Sequence, residues 1–221
     1  AKPQDAPTAD CNTNNNTCVY AIVTRPGYHT HIGYERGGVF SAAIWNSSNT
    51  WFGLNSSPSS FPAGQWHHVC LAVDDTAKRI SLYVDGSPTA SSPQAYTGAL
   101  RDYWQAHYFV GVGNPWNTSW KWHFKGAIDE VRIYSRTLSA AEVSAQYNGG
   151  AGRYGMPEPG LMSGLHFDEG SGTTVYDYSG NWNGGNLYGG VTWVPGLVVQ
   201  PVADTTPPTI SAVTASGITG S

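Results

Sequence analysis

Lys125-Gly-Ala-Ile-Asp-Glu-Val-Arg-Ile-Tyr-Ser-Arg-Thr-Leu-Ser-Ala-Ala-Glu-Val-Ser-Ala-Gln-Tyr147 reads as one strand, a turn and one short helix. In the strand, Val131 and Ile133 fall on one face and Glu130 and Arg132 on the other, the period-2 pattern of a half-buried strand. Asp129 shares the face of Val131 and Ile133. A carboxylate turned toward a core costs several kcal/mol unless it is paired, so it needs either a cation or a row of backbone N–H groups. Ser139 then opens a helix, and Glu142, three residues on, completes a capping box. Val143 and Tyr147, four apart, give that helix its apolar stripe.

The rest of the composition agrees with a β-rich chain. Of 221 residues only 12% are charged, whereas nine Trp and 13 Tyr supply ample apolar area, which excludes a disordered chain. Net charge is −4 with no basic run, so nucleic acid is not an expected partner. No stretch approaches the roughly 18 apolar residues of a membrane span, so no membrane insertion is expected. No signal peptide is visible; if the protein is secreted, Ala1 is a processed or trimmed start. Of the three cysteines, Cys11 and Cys18 flank an Asn/Thr-rich turn, where a small disulfide loop and two free thiols are both open. Cys70, in the apolar run Val69-Cys-Leu-Ala-Val73, reads as a buried thiol, and no Cys/His spacing matches zinc.

Strands are read at 19–24, 28–35, 38–45, 51–54, 65–74, 79–85 and 108–113, with Arg36-Gly-Gly38 joining the second and third as a hairpin. Three segments then point to one family. Gly126-Ala-Ile-Asp-Glu-Val-Arg-Ile-Tyr134 followed by Arg136-Thr-Leu-Ser-Ala-Ala-Glu142 resembles the end of laminin-G-like domains, in the concanavalin A-like jelly-roll group. Gly64-Gln-Trp-His-His-Val69 with Ile80-Ser-Leu-Tyr-Val-Asp-Gly86 is similar to the family's central hairpin. Phe167-Asp-Glu-Gly-Ser-Gly-Thr-Thr-Val-Tyr-Asp177, with Ser179-Gly-Asn-Trp-Asn-Gly184 and Trp193-Val-Pro-Gly196, resembles its opening strand. The resemblance implies an all-β, antiparallel jelly-roll β-sandwich with one short helix after the closing strand.

In this chain the opening strand follows the closing one. The predicted organisation is therefore an entry segment at 1–19, a jelly roll lacking its opening strand at 20–148, and a Gly/Pro-rich linker at 149–160. The displaced opening strand lies at 161–196, and 197–221 carries Asp204-Thr-Thr-Pro-Pro-Thr-Ile210, which resembles the start of a fibronectin-type or Ig-like module. The displaced segment either folds back onto its own sandwich, belongs to a window cut from tandem repeats, or completes a neighbouring subunit, because a sandwich lacking a strand exposes an edge.

Two binding sites are candidates. The resemblance implies a calcium ion held by oxygen ligands, for which Asp177 and Asn183, in a Gly/Asn-rich turn like the family's, and the inward Asp129 are the residues; the alternative is that Asp177 caps a turn and Asp129 accepts backbone hydrogen bonds. Tyr103, Trp104, Trp116, Trp120 and Trp122 lie in loops and could stack on sugar rings or pack on the sandwich. Sequons occur at Asn15, Asn46, Asn55 and Asn117. Catalysis is not expected: none of the five Glu is followed two residues later by Asp, and Asp129-Glu130 and Asp168-Glu169 are adjacent, so on strands each pair points to opposite faces. His67 and His68 belong to the family's Gln-Trp-His-His-Val strand, one expected to pack and one to face solvent. The chain thus reads as a non-catalytic extracellular or cell-surface module for adhesion or carbohydrate binding, with a glycan or extracellular protein as partner. The alternative is a structural subunit of an extracellular filament, self-assembling through 161–196 by strand donation.

Overall fold

The computed structural model describes residues 1–6, 19–25, 30–101, 107–111 and 123–197. Fifteen strands are found there in chain order: β1 (Lys2–Pro3), β2 (Val19–Arg25), β3 (Thr30–Glu35), β4 (Val39–Trp45), β5 (Trp51–Asn55), β6 (Val69–Asp74), β7 (Arg79–Val84), β8 (Ser87–Pro88), β9 (Gln94–Ala95), β10 (Phe109–Val110), β11 (Gly126–Ala127), β12 (Val131–Tyr134), β13 (Leu161–Leu165), β14 (Thr174–Val175) and β15 (Gly185–Asn186). The helix α1 (Ala140–Tyr147) follows β12. All pairings are antiparallel. No helix among the described residues is long and apolar enough to cross a membrane.

One sheet has the order β10-β2-β3-β4-β5 and the facing one is built on β6-β7-β8, with β9 also on β7. Alternation decides which side chains meet between them. Tyr34 stands opposite Phe40, and Ala42 opposite Leu54, so these residues share the inward face. On β7, Ile80, Leu82 and Val84 are buried while the residues between them are partly exposed. These rows form one core with Ile22 and Tyr96. Burying each large apolar side chain contributes roughly 1.5–3 kcal/mol. Ile22 reaches the core from a bulge, where the β2–β3 register shifts between Ala21 and Val23.

The closing strand sits differently. β12 pairs with β13 of the same chain, with Val131 opposite Leu165 and Ile133 opposite Ser163. The displaced segment is thereby laid on the closing strand, and Asp177 bridges to Leu165 on the other side of β13. α1 begins as the sequence indicates. Ser139 Oγ accepts from the Glu142 N–H at 3.3 Å, and Glu142 Oε2 accepts from the Ser139 N–H at 2.8 Å. Val143 is fully buried, and Gln146, also buried, donates to the Tyr134 hydroxyl at 2.7 Å.

Candidate functional site

The seam between β12 and β13 carries a buried polar cluster. Glu130 has a left-handed backbone (φ 51°) just before the strand. Its Oε2 accepts from Arg132 Nη2 at 2.6 Å and from the Gly155 N–H at 3.1 Å, and its Oε1 lies 2.6 Å from His166 Nδ1. Arg132 also donates through Nε to the Tyr178 hydroxyl at 2.8 Å and through Nη2 to the Arg153 carbonyl. His166 is stacked between Tyr154 and Tyr178, with ring centroids 3.9 and 4.0 Å apart. The side chains of Glu130 and Arg132 are only 8% and 6% exposed. The even-numbered face of the strand, read as the solvent side, is therefore covered at Glu130 and Arg132 by 153–155 and Tyr178. Burial raises the Glu130 carboxyl above its ordinary range, opposed by His166 and Arg132. Burial also pushes the Tyr178 hydroxyl up to about 12. Glycine is required here: a Cβ on Gly164 would lie 2.3 Å from Cζ of Tyr178, and one on Gly155 would lie 1.9 Å from its hydroxyl. With these partners Glu130 ties Arg132, His166 and the Gly155 backbone together.

Beside the seam, between β6 and β12, runs a groove of about 680 Å³. His67 is buried at one end, with Nδ1 2.9 Å from Asp85 Oδ2 and its ring edge-on to Phe40 and Phe61. His68 does not face open solvent, as the sequence suggested for one of the pair. It lines the groove, half-buried, and Nδ1 is buried without a hydrogen-bond partner. Burial is the main reason its imidazole is lowered to about 4. Cys70, half-buried, also lines the groove and its thiol is pushed up to about 12 by burial.

The third feature is the β14–β15 hairpin. Thr174 pairs with Asn186 and Val175 with Gly185, and Val175 is buried beneath. Continuing that register puts Tyr176 and Tyr188 on the opposite, outward face, flanking Thr174 and Asn186. Tyr176 is 70% exposed, Tyr188 81%, and Trp182, in the turn, 95%. Two exposed tyrosines beside a Thr and an Asn offer ring faces and hydrogen-bonding groups together. The sequence reading treated these residues only as family turn motifs. Their signal was the aromatic at every sixth position, 176, 182 and 188, in a run of Gly and Asn.

Of the residues read as calcium ligands, Asp177 and Asn183 are brought together, while β13 separates Asp177 from the strand that follows Asp129. Asp177 Oδ1 accepts the Gly164 and Ser179 N–H groups at 2.8 and 2.9 Å; Oδ2 accepts the Asn183 N–H at 2.9 Å and the Ser179 hydroxyl at 2.7 Å. The Asn183 amide donates to the Met162 carbonyl at 2.7 Å. Asp129 Oδ2 accepts the Leu197 N–H at 2.8 Å. Those hydrogen bonds hold the Asp177 carboxyl below its ordinary range against the effect of burial. A cation would have to displace these donors, so the three residues do not fit calcium as one ligand set. Among the described residues no group of three or more His, Cys, Asp or Glu is placed to hold a metal. Of the sequons, Asn55 is exposed. Asn46 is 4% exposed, donates to the Thr97 carbonyl at 2.9 Å and accepts from the Ser48 and Thr50 N–H groups, so its amide is not accessible for glycosylation in the fold. Tyr103, Trp104, Trp116, Trp120, Trp122, Cys11, Cys18, Asn15 and Asn117 lie outside the described residues.

Residues 8–144 match the family model of the concanavalin A-like lectin/glucanases superfamily. No curated protein sequence matches the chain. Among solved structures, a Bacteroides ovatus protein provisionally assigned as carbohydrate binding is similar, with TM-score 0.59 and 17% identity over 76% of this chain and 47% of that one. The chain thus spans less than half of that protein's length. Weaker likenesses are to the CBM40 of the Ruminococcus gnavus IT-sialidase, with TM-score 0.48 and 18% identity over 60% of this chain and 76% of that one, and to the heptameric SAP-like pentraxin of Limulus polyphemus, with TM-score 0.43 and 16% identity over 65% and 64%.

Proposed function

We propose a function from one premise: the chain belongs to the concanavalin A-like lectin/glucanases superfamily. It is a carbohydrate-binding module without chemistry of its own, acting outside the cell as part of a larger surface or secreted protein. The observation that carries this reading is the outward face of the β14–β15 hairpin, where Tyr176 and Tyr188 flank Thr174 and Asn186. Sugars present C–H faces to aromatic planes and hydroxyls to amides, and large exposed aromatics are otherwise costly to leave in water. The Bacteroides ovatus protein of the same fold supports the ligand class at the level of the superfamily. Absence of catalysis is supported by the carboxylates. Glu130 is bonded to Arg132 and His166.

Tyr103, Trp104, Trp116, Trp120 and Trp122 form a second aromatic set in the same proposal. A glycan array with the intact chain, Tyr176→Ala/Tyr188→Ala and Trp116→Ala/Trp120→Ala separates them. Loss of binding in the first variant alone assigns the hairpin, and loss in the second alone assigns the other loops. No binding by the intact chain to any glycan sinks the carbohydrate reading. A fall in melting temperature on chelation would reveal a calcium site held by donors other than the Asp177 set. A filament of strand-donating subunits would require β13 to leave its own β12, so light scattering across a concentration series is expected to show one constant mass.

A further inference from the structure

We infer that the outward face of the β14–β15 hairpin takes the interior of a linear, uncharged polysaccharide, at least about three sugar units at once, and not a single terminal or acidic sugar. The inference rests on the carbohydrate reading above and narrows its ligand. Its basis is the spacing of the two tyrosines. Thr174 pairs with Asn186, and the ladder runs one pair further, since the Leu187 N–H donates to the Thr173 carbonyl at 2.7 Å. In that register Tyr176 stands two positions to one side of Thr174, and Tyr188 faces Gly172, two positions to the other side. The rings therefore spring from points four positions apart along the hairpin, ~13 Å at ~3.3 Å per residue, and from different strands. Both rings are largely exposed, so neither is folded down upon the other. The separation exceeds one sugar ring. The two tyrosines thus meet different units of one chain, and the Thr174–Asn186 pair between them meets the stretch that joins those units.

The platform is held before any ligand arrives. On one side of Tyr176, Val175 pairs with Gly185; on the other, Asp177 bridges to Leu165. At the far end Trp193 Nε1 donates to the Gly172 carbonyl at 2.9 Å. A fixed backbone lowers the ordering cost of binding. Across the register from the rings stand Gly184 and Gly172, which have no side chain to cover them, and a Cβ on Gly172 would meet nothing within 4 Å. A small ligand is ordinarily held in a concavity that encloses most of its surface. An outward hairpin face encloses little of any one sugar, so binding has to be summed over several linked units. Charge then selects the kind of sugar. From Tyr154 to Ser221 the sequence holds no Lys or Arg, but it holds Glu158, Asp168, Glu169, Asp177 and Asp204. Glu169 Oε1 accepts the Tyr176 N–H at 2.8 Å, which fixes a carboxylate beside one end of the platform. The segment's one imidazole, His166, is stacked between two tyrosines and turned to Glu130. A uronate or sialate would meet repulsion with no cation from this segment to offset it, whereas a neutral sugar meets none.

The test is titration calorimetry of the 221-residue chain. The probes are gluco-, xylo-, manno- and galacto-oligosaccharide ladders from the monosaccharide to the hexasaccharide, with sialyllactose and oligogalacturonate as the acidic probes. One neutral ladder is expected to bind at least about tenfold more tightly at the tetrasaccharide than at the disaccharide and to change little beyond it, with neither acidic probe bound. Tyr176→Ala and Tyr188→Ala are each expected to abolish that gain with length. Because both rings are exposed, the urea midpoint is expected to stay unchanged in both variants, which separates lost binding from lost folding. A monosaccharide bound as tightly as its hexasaccharide, or an acidic probe bound in preference to the neutral ladders, overturns the inference and leaves the carbohydrate reading standing. A gain with length that survives in both variants takes the site off the hairpin and also overturns it. No binding of any probe sinks the inference together with the reading on which it rests.

Discussion

Phe40 and Arg132 are both almost inaccessible to water, at 0% for the residue and 6% for the side chain, yet they are held by opposite means. Phe40 touches rings: its centroid is 4.9 Å from that of Tyr34 and 5.7 Å from that of Phe61. Its burial is stabilising in any orientation that fills the space. Arg132 is a charge brought out of water, tolerable only because Glu130, Tyr178 and the Arg153 carbonyl accept its hydrogens. The two-sheet core is thus robust to chemistry and sensitive to volume. The seam is the reverse: removing one partner leaves another charge buried.

The largest effect that separates them is in the core. Phe40→Ala is expected to cost about 3–5 kcal/mol in chemical unfolding, with no smaller cost at any pH. A loss under about 1 kcal/mol would mean that the sheets close over the cavity. The next is the seam's signature. Arg132→Met is expected to cost about 3 kcal/mol, and adding Glu130→Gln to recover most of it, since the uncompensated carboxylate is then gone. Additive losses in the double-mutant cycle would show that Glu130 and Arg132 are not coupled.

A third prediction uses pH. His31 and His68 are both lowered from 6.5 to about 4 by burial, so between those values the unfolded chain binds protons that the folded chain does not. Stability therefore falls as pH drops from 6.5, by about 1–2 kcal/mol at pH 5 after solvent screening. The Glu130 carboxyl, raised by burial, acts with the opposite sign: the folded chain takes up its proton first, so its contribution improves as pH falls. His68→Asn should flatten the slope of the urea midpoint against pH, and Glu130→Gln should steepen it. Slopes unchanged in both variants would remove both assignments.

Most of the core was readable because its signal is local. Ile80, Leu82 and Val84 alternate cleanly, and Arg36-Gly-Gly38 marks the turn that sets Tyr34 against Phe40. The seam was not, because its partners come from far along the chain. Glu130 and Arg132 look like a solvent face until Tyr154, Gly155, His166 and Tyr178 are folded onto them, and nothing within a strand's length announces that. Asp129 and Asp177 show the same limit in another form. Two requirements were left open for an inward carboxylate, a cation or backbone N–H groups; the structure supplies N–H donors from Leu197 to Asp129, and from Gly164, Ser179 and Asn183 to Asp177. Sequence fixes that a partner is needed, and only tertiary contact decides which.

The smallest effect falls on the element that joins the two regions. α1 reaches the core sheet side through Tyr147, which lies against Gly86 after β7, and the seam through Gln146, which donates to Tyr134 on β12. Its first turn is fixed by Ser139 and Glu142, and Arg136 Nη2 lies 2.7 Å from Glu142 Oε1. That arrangement holds the Glu142 carboxyl down to about 2, chiefly through the Arg136 hydrogen bond and then through Ser139. Ser139→Ala removes one cap acceptor and is expected to cost about 1 kcal/mol. The informative readout is where that loss appears. If α1 braces both regions, hydrogen exchange quickens at β12 and at the β7–β8 turn together. Quickening at β12 alone would tie the helix to the seam and leave the core sheets standing without it.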